Sequence, residues 1–500
     1  MAVTFTQLAD SVGQIDTSDQ LMAFEGFQKA FVVNGANLGV VDLINTKLTH
    51  SALTTAHAHG DILTQATSNA QMVVDFTDST KTHTYGYVTT GTFDATHAVT
   101  GSGSGTGFTP SAVTSRPHWY DWTVYPGGAS GSLPDKAYIG CLYRGRCVLA
   151  GNPNEPQQWY MSRQANPWDW AYTANDALSP VAGQSAAAGK MGDIIKALIP
   201  YRDEYLIIGC ANSVWVMRGD PAEGGGQQAY DEAKGIFGVK SWCFDHEGNL
   251  YFFSLTGMYM IPVGFGPIQE ISQVVLPQLN EDEAIDPAVH RITMEFDKQH
   301  YGIEICITDV INGTNSNYWY DLKTKGFFPE SYPDSASAYS LLFYDATDPD
   351  NRVLLYGSKD GFIRTLDDAT KSDATTASTQ AITSHILLPI IQSADDDKDI
   401  KLTGLSLTLA GGLSSGSEAD SGTLTVNYFA DKTTEAVLED VEDGDTPFST
   451  FDVALSSYAK LEKYWNRIRD HAIGIQLKNT TADNTWAIER VSAVLSEARR

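Results

Sequence analysis

The chain has 500 residues, 42% of them hydrophobic and 11% aromatic, with 33 Lys and Arg against 61 Asp and Glu for a net charge of -28. That length exceeds what one ordinary core holds unless a radially repeated fold carries it, and 23 Tyr, 20 Phe and 10 Trp favour strands over helices. The acidic balance excludes a protein that grips nucleic acid by neutralising phosphates, although a negatively lined conduit past which a duplex slides stays compatible with it.

Met1 to Gln20 carries Asp10, Asp16 and Asp19 and no basic region leading into an apolar one, and no apolar run reaches the length of a membrane span. Folding in a cytoplasm is the expectation. Cys141, Cys147, Cys210, Cys243 and Cys306 form no C-x-x-C spacing, and the last three sit in apolar strand-like runs. They read as buried free thiols.

The clearest organisation is a recurrence of strand pairs joined by Gly, Asn and Asp turns. The first unit, Lys29 to Leu43, turns at Asn34-Gly35, the second spans Ala137 to Trp170, and the third runs from Ile195 to Arg218. The fourth, Val239 to Pro262, turns at Asp245 to Asn249, the fifth covers Arg291 to Phe328, and the sixth Leu341 to Leu366. A spacing of roughly 40 residues is what a four-stranded propeller blade occupies, so the expected fold is an all-β β-propeller of about six blades.

Two regions break the pattern. Residues 50–115 are rich in Thr, Gly and Ala, include the low-complexity Gly101 to Gly107, and are expected to form a small β insertion between the first and second units. From residue 376 onward, runs such as KLTGLSLTLA and IGIQLKN predict a C-terminal β-sandwich-like module, with one helix over Ser457 to Asp470. The expected division is 1–49 for an N-terminal arm and first blade, 50–115 for the insertion, 116–375 for the other blades and 376–500 for the sandwich.

No catalytic, cofactor-binding or metal-ligating residue is assigned, because each apparent motif reads better as structure. Gly412-Leu413-Ser414-Ser415-Gly416 matches a nucleophile-elbow string without the strand and helix that would strain its serine. His57 and His59 lack a third metal ligand at any recognised spacing. Asp345, Asp348 and Asp350 lack the Gly and terminal Glu of a calcium loop, and Asp395, Asp396, Asp397 and Asp399 read as a solvated turn. Ser358 to Leu366 resembles the Asp-containing hairpin of some glycosidase propellers but occurs once and lacks the following Trp. Trp119 and Trp122 would suit a sugar-binding face if exposed and a core if not.

Arg146 to Trp170, RCVLAGNPNEPQQWYMSRQANPWDW, resembles a segment of phage tail and head-completion proteins in which a strand ending in Gly-Asn-Pro pairs with one ending in Ser before a Pro-Trp-x-Trp turn. Tyr205 to Pro221, Gly235 to Pro262 and Phe24 to Asp42 are similar to other blades of those proteins, so the likeness covers about residues 20–370. The family it suggests is the nozzle, or tail tubular, proteins of short-tailed phages, close to their DNA-stabilisation proteins. The resemblance implies a non-enzymatic virion subunit, commonly in a hexameric ring below portal and adaptor, assembled in the host cytoplasm and contacting adaptor proteins and fibres. Genomic DNA would pass through the lumen without specific binding. The 50–115 insertion departs from that pattern, and the family has no catalytic set to carry over. The alternative function is a glycan-binding or glycan-cleaving tail propeller; a cellular scaffold propeller fits the uneven blade lengths less well.

Overall fold

The computed structural model describes residues 7–125, 131–173, 176–183, 191–273, 275–276, 285–366, 372–375, 379–395, 397–409, 423–454, 460–482 and 486–499. The chain forms two compact units, 1–287 and 288–500. It is an all-β propeller with a β insertion and a C-terminal sandwich, and its blades are antiparallel meanders whose strands follow chain order.

Four blades belong to the first unit. Blade 1 joins Met22–Gly26, Lys29–Asn34, Asn37–Asp42 and His118–Asp121; blade 2 joins Ile139–Tyr143, Arg146–Ala150, Trp159–Met161 and Val181–Ala182. Blade 3 contains Ile195–Tyr201, Tyr205–Cys210, Val214–Arg218 and Gly226–Asp231, and blade 4 Trp242–Phe244, Leu250–Ser254, Gly257–Ile261 and Gln269–Glu270. The second unit holds blade 5, His290–Asp297, Gly302–Asp309, Asn315–Asp321 and Gly326–Glu330, and the three-stranded blade 6, Ala338–Tyr344, Val353–Ser358 and Ile363–Thr365. The first strand of blade 1 lies beside that of blade 2, blade 2 beside blade 3 and blade 5 beside blade 6, which is how inner propeller strands stand.

Local chemistry explains the meanders. Asn34 pairs with Asn37, leaving Gly35-Ala36 as a two-residue turn whose Gly35 has φ +65°, a conformation that glycine adopts without a Cβ penalty. In blade 2 the turn is Arg144-Gly145, both at positive φ, between Tyr143 and Arg146. All five cysteines are buried, and burial pushes the Cys210 thiol up to about 12.

The insertion interrupts blade 1 itself, between its third and fourth strands, rather than separating blade 1 from blade 2. Its six-stranded sheet orders Val99–Gly101, Ile62–Gln65, Gln71–Thr77, His83–Thr90, Thr46–Thr49 and Ala112–Thr114, so it begins at Thr46, ahead of the expected boundary. Leu48, Leu63, Met72, Val74 and Phe108 form its own core.

The sandwich packs a sheet of Ser384–Leu387, Ala472–Asn479, Thr423–Asp431 and Ser449–Ala454, with Ile391–Gln392 also on Ala472–Asn479, against a sheet of Lys460–Asp470, Lys398–Leu409 and Ile488–Arg499. Leu402, Leu405 and Leu407 meet Leu424, Val426 and Ile475 across the layer. The helix expected over Ser457 to Asp470 is corrected here: Ser457 to Ala459 lie outside the described residues, and Lys460–Asp470 is a strand along Lys398–Leu409, with a register shift between Leu402 and Gly404. Ladder pairing along a long neighbour overrides helix propensity. The helix lies instead at Thr434–Glu442, where Thr433 accepts from the Ala436 N–H at 3.1 Å and Val437 packs on Phe429 and Ala472. Among the described residues no helix is long and apolar enough to cross a membrane.

Blades 2 and 3 are joined by a buried ion pair. The Arg146 side chain is wholly buried; its Nε lies 2.9 Å from Asp220 Oδ2, and its terminal nitrogens reach the carbonyls of Ser162, Ala177, Leu178 and Ser179. Alongside it the Tyr143 hydroxyl meets the carbonyls of Glu204 and Gly219. Removing one partner of such a pair strands the other charge, at about 3–5 kcal/mol. Arg146→Met is therefore expected to lower the unfolding free energy by about that amount in chemical denaturation, and adding Asp220→Asn should recover part of the loss. A single-variant cost under about 1 kcal/mol would show that the pair is not the tie between these blades.

Candidate functional site

The histidines singled out in the insertion do not converge. His57 is buried, with Nε2 3.1 Å from the Thr106 carbonyl and Nδ1 3.8 Å from Asp61 Oδ2, while the exposed His59 turns its Nδ1 to the Asp75 carbonyl at 2.9 Å. Desolvation depresses the His57 pKa. The low-complexity segment explains why His57 is buried. A Cβ at Gly101 or Gly105 would stand 2.7 or 2.1 Å from His57 Nδ1, and one at Gly103 2.3 Å from Asp61 Oδ1. The glycines are thus a close-packed cover over His57 and Asp61.

The acidic runs are capped turns. Asp345 pairs with Lys298 at 2.6 Å and with Arg352 at 3.5 Å, and Asp348 accepts from the Asp350 N–H. Asp395 pairs with Lys398 and Asp399 with Arg469, while Asp397 donates its N–H to Asp395; Asp396 and the Gly412 to Gly416 string lie outside the described residues. In the hairpin of Ser358 to Leu366, Asp360 holds Arg364 through two contacts of 2.6 and 2.7 Å. Trp119 and Trp122 are core residues, 5% and 2% exposed, so neither offers a sugar-binding face. Among the described residues no three His, Cys, Asp or Glu side chains gather as metal ligands.

A further group of buried polar side chains, not among the sequence candidates, lies between blades 5 and 6. Cys306 stands opposite Thr293 and Asn317, and Asn317 opposite Glu330, so these side chains share one sheet face with Glu304, two residues from Cys306. The Tyr332 hydroxyl lies 2.9 Å from Glu304 Oε1 and 2.6 Å from Glu330 Oε2, and the Tyr332 ring meets Tyr356 of blade 6 edge-on at 5.8 Å. Glu304 is fully buried; burial, then the nearby Glu330 charge, raises its carboxyl well above the usual range, and burial raises Glu330 too. Among the described residues Thr293 Oγ1, Glu304 Oε2, Asn317 Oδ1 and Ser358 Oγ have no hydrogen-bond partner. A glutamate inside the apolar run YGIEICIT was the signal available in the sequence.

A second buried titratable group sits where blade 1 meets the insertion. His118 is fully buried, neither ring nitrogen has a partner, and Tyr85 stacks on it at 5.7 Å. Next to it Asp42 gathers N–H groups from Ile44 and Asn45, the Tyr120 hydroxyl at 3.1 Å and Lys29 at 3.5 Å.

Exposed apolar side chains occur on the insertion at Ile62 and Tyr87, on blade 6 at Leu342 and Phe362, and on the sandwich at Phe448 and Val494.

No protein-family model matches the chain, and no curated protein matches it. Among solved structures it is similar to an exo-β-1,3-galactanase from Phanerochaete chrysosporium at 9% identity, covering 90% of this chain and 100% of that one, with a TM-score of 0.25. It is similar to the phage phi92 endosialidase at 9% identity over 92% of this chain and 78% of that one, TM-score 0.26. For TolB of Acinetobacter baumannii the values are 11%, 44%, 52% and 0.26. Likenesses of that strength carry no argument about activity.

Burial depresses the His118 pKa from 6.5 to about 4, against the smaller opposing effect of Asp42; Lys47, Asp10 and Lys29 also face it. The unfolded chain then binds the proton first, so stability is complete above the ordinary histidine pKa and is lost as pH falls towards 4. The loss amounts to about 3 kcal/mol. His118→Phe, which fills the site without a titrating group, is expected to abolish this acid limb in melting curves taken as a function of pH. An unchanged limb would assign the acid sensitivity elsewhere. In the insertion, Gly105→Ala should cost about 1–3 kcal/mol by overpacking against His57, read by chemical denaturation with Gly192→Ala, where nothing lies within 4 Å of the added Cβ, as the control.

Proposed function

We propose that the chain is a structural subunit of a phage virion, one copy of a tail nozzle ring that forms part of the DNA exit channel and helps retain and release the genome. The observation that carries the reading is the stretch from Arg146 to Trp170. Its likeness to phage tail proteins rests on residues that act as framework: Arg146 ties two blades together, Trp159 and Trp170 are among the largest fully buried side chains, and both Trp122 and Trp170 donate their indole N–H to the Pro167 carbonyl at 3.0 Å.

The remaining features support a contact protein. The insertion and the sandwich each have a core of their own and carry exposed apolar residues, which suits them to meet adaptor, fibre or neighbouring subunits without disturbing the blades. A net charge of -28 lets a duplex pass a wall without adhering to it.

The test is the mass of the purified chain by multi-angle light scattering, together with electron images of the particles and of virions. A closed ring, commonly of six copies in the resembling family, with an opening that admits a DNA duplex, is the expected result. A monomer that associates with no virion and binds or trims polysaccharide would overturn it and transfer the function to a glycan-directed propeller.

A further inference from the structure

A phenol carries one proton. Tyr332 Oη is within hydrogen-bonding distance of both Glu304 Oε1 and Glu330 Oε2, and it can donate to only one of them. The other carboxyl must itself be protonated and donate to the phenol oxygen, because two carboxylates around a single O–H would leave two acceptors facing each other. We propose that Glu304 and Glu330 share one proton through Tyr332, and that this acid–phenol–carboxylate chain latches blade 5 to the connection entering blade 6.

Burial decides which end holds the proton. Glu304 is fully buried and its Oε2 has no partner, so an ionised Glu304 would be a bare charge in the seam. Glu330 is only partly buried and ends the outer strand of its blade. In the resting state the Glu304 O–H donates to Tyr332 Oη and the Tyr332 O–H donates to the Glu330 carboxylate. Moving both protons one place along the chain carries one proton from Glu304 to Glu330 with the total unchanged, and loss of the shared proton leaves two carboxylates for one donor.

The groups facing the pair do not rescue that state. Glu304 meets the Cys306 thiol at 3.5 Å and the charge of Asp297; Glu330 meets the charge of Asp373; Tyr356 closes the blade 6 side. Arg364, the cation that acts on Asp373, is already held by Asp360. Cys306, Ala338, Leu341, Leu354 and Tyr356 pack together around the latch, so separating the carboxyls means opening that core. The sign is opposite to that of His118. The folded state keeps a proton that the unfolded chain releases in the ordinary glutamate range, so this contribution is complete in acid and is lost as pH rises through the raised pKa.

Two readouts on the full chain test this: the infrared carbonyl stretch of an un-ionised carboxylic acid at neutral pH, and melting temperature from about pH 6 to about pH 9. Glu304→Gln keeps a donor towards Tyr332 and is neutral throughout. The unmodified chain is expected to show the acid band and a melting temperature that falls on the alkaline side; E304Q should lose the band and flatten the fall. A missing band in the unmodified chain, a band unchanged in E304Q, or parallel pH profiles would overturn the latch. Should E304Q fail to fold, Tyr332→Phe reads the same pair, since removing the bridging hydroxyl shifts the acid band, and an unshifted band overturns the proposal. None of these outcomes depends on whether the chain forms a ring.

Discussion

A guanidinium removed from water must find an acceptor for each of its N–H groups, and a fully buried one must also meet an opposite charge. Arg146 finds acceptors for all three of its nitrogens, with Nη1 and Nη2 on the carbonyls of Ser162, Ala177, Leu178 and Ser179 and Nε on Asp220. The consequence reaches beyond one strand. The Arg146 side chain supplies donors to carbonyls at both ends of the connection, Ser162 on one side and Ala177, Leu178 and Ser179 on the other. Blade 2 thereby acquires its fourth strand, and blade 3 is docked through the loop that carries Asp220.

Other junctions use the same device with different chemistry. Blade 1 is attached to its insertion by Lys29, Asn45, Asp42 and Asp75, with Asn45 Nδ2 2.8 Å from Asp42 and 2.9 Å from Asp75. The junction of blades 5 and 6 uses carboxyls and phenols. Each blade is a small sheet whose apolar faces could slide against a neighbour at modest cost, since dispersion and burial are not directional. Buried polar contacts are directional and costly to leave unmade, so they fix register between sheets that hydrophobic contact alone would leave loosely specified.

This division accounts for what was legible in the sequence. The blades could be read because their turns are local: Asn34-Gly35, Asp245 to Asn249 and the apolar runs around them contain their own instructions. The sandwich was equally readable from its alternating strands. Lys460 to Asp470 was misread because its strand state is imposed by Lys398–Leu409, some sixty residues earlier in the chain. The junction of the insertion was missed for a similar reason, since blade 1 is closed by His118–Asp121 only after the chain has left and returned. The carboxyl pair was hidden because Glu304, Glu330 and Tyr356 come from three strands of two blades. The local signals were small: a lone Glu304 in an apolar run, and His118 between Pro117 and Trp119.

The stretch from Gly101 to Gly107 shows how composition can mislead in the other direction. By its letters it is a flexible linker, the kind of place where a tag, a reporter or a split point is inserted. In the fold its glycines are the thinnest residues available for a gap bounded by an imidazole and a carboxylate, and lengthening that run would lift the cover from His57 and detach Val99–Gly101 from the sheet edge it completes. Fusion partners belong instead at turns such as Gly444, which faces open space.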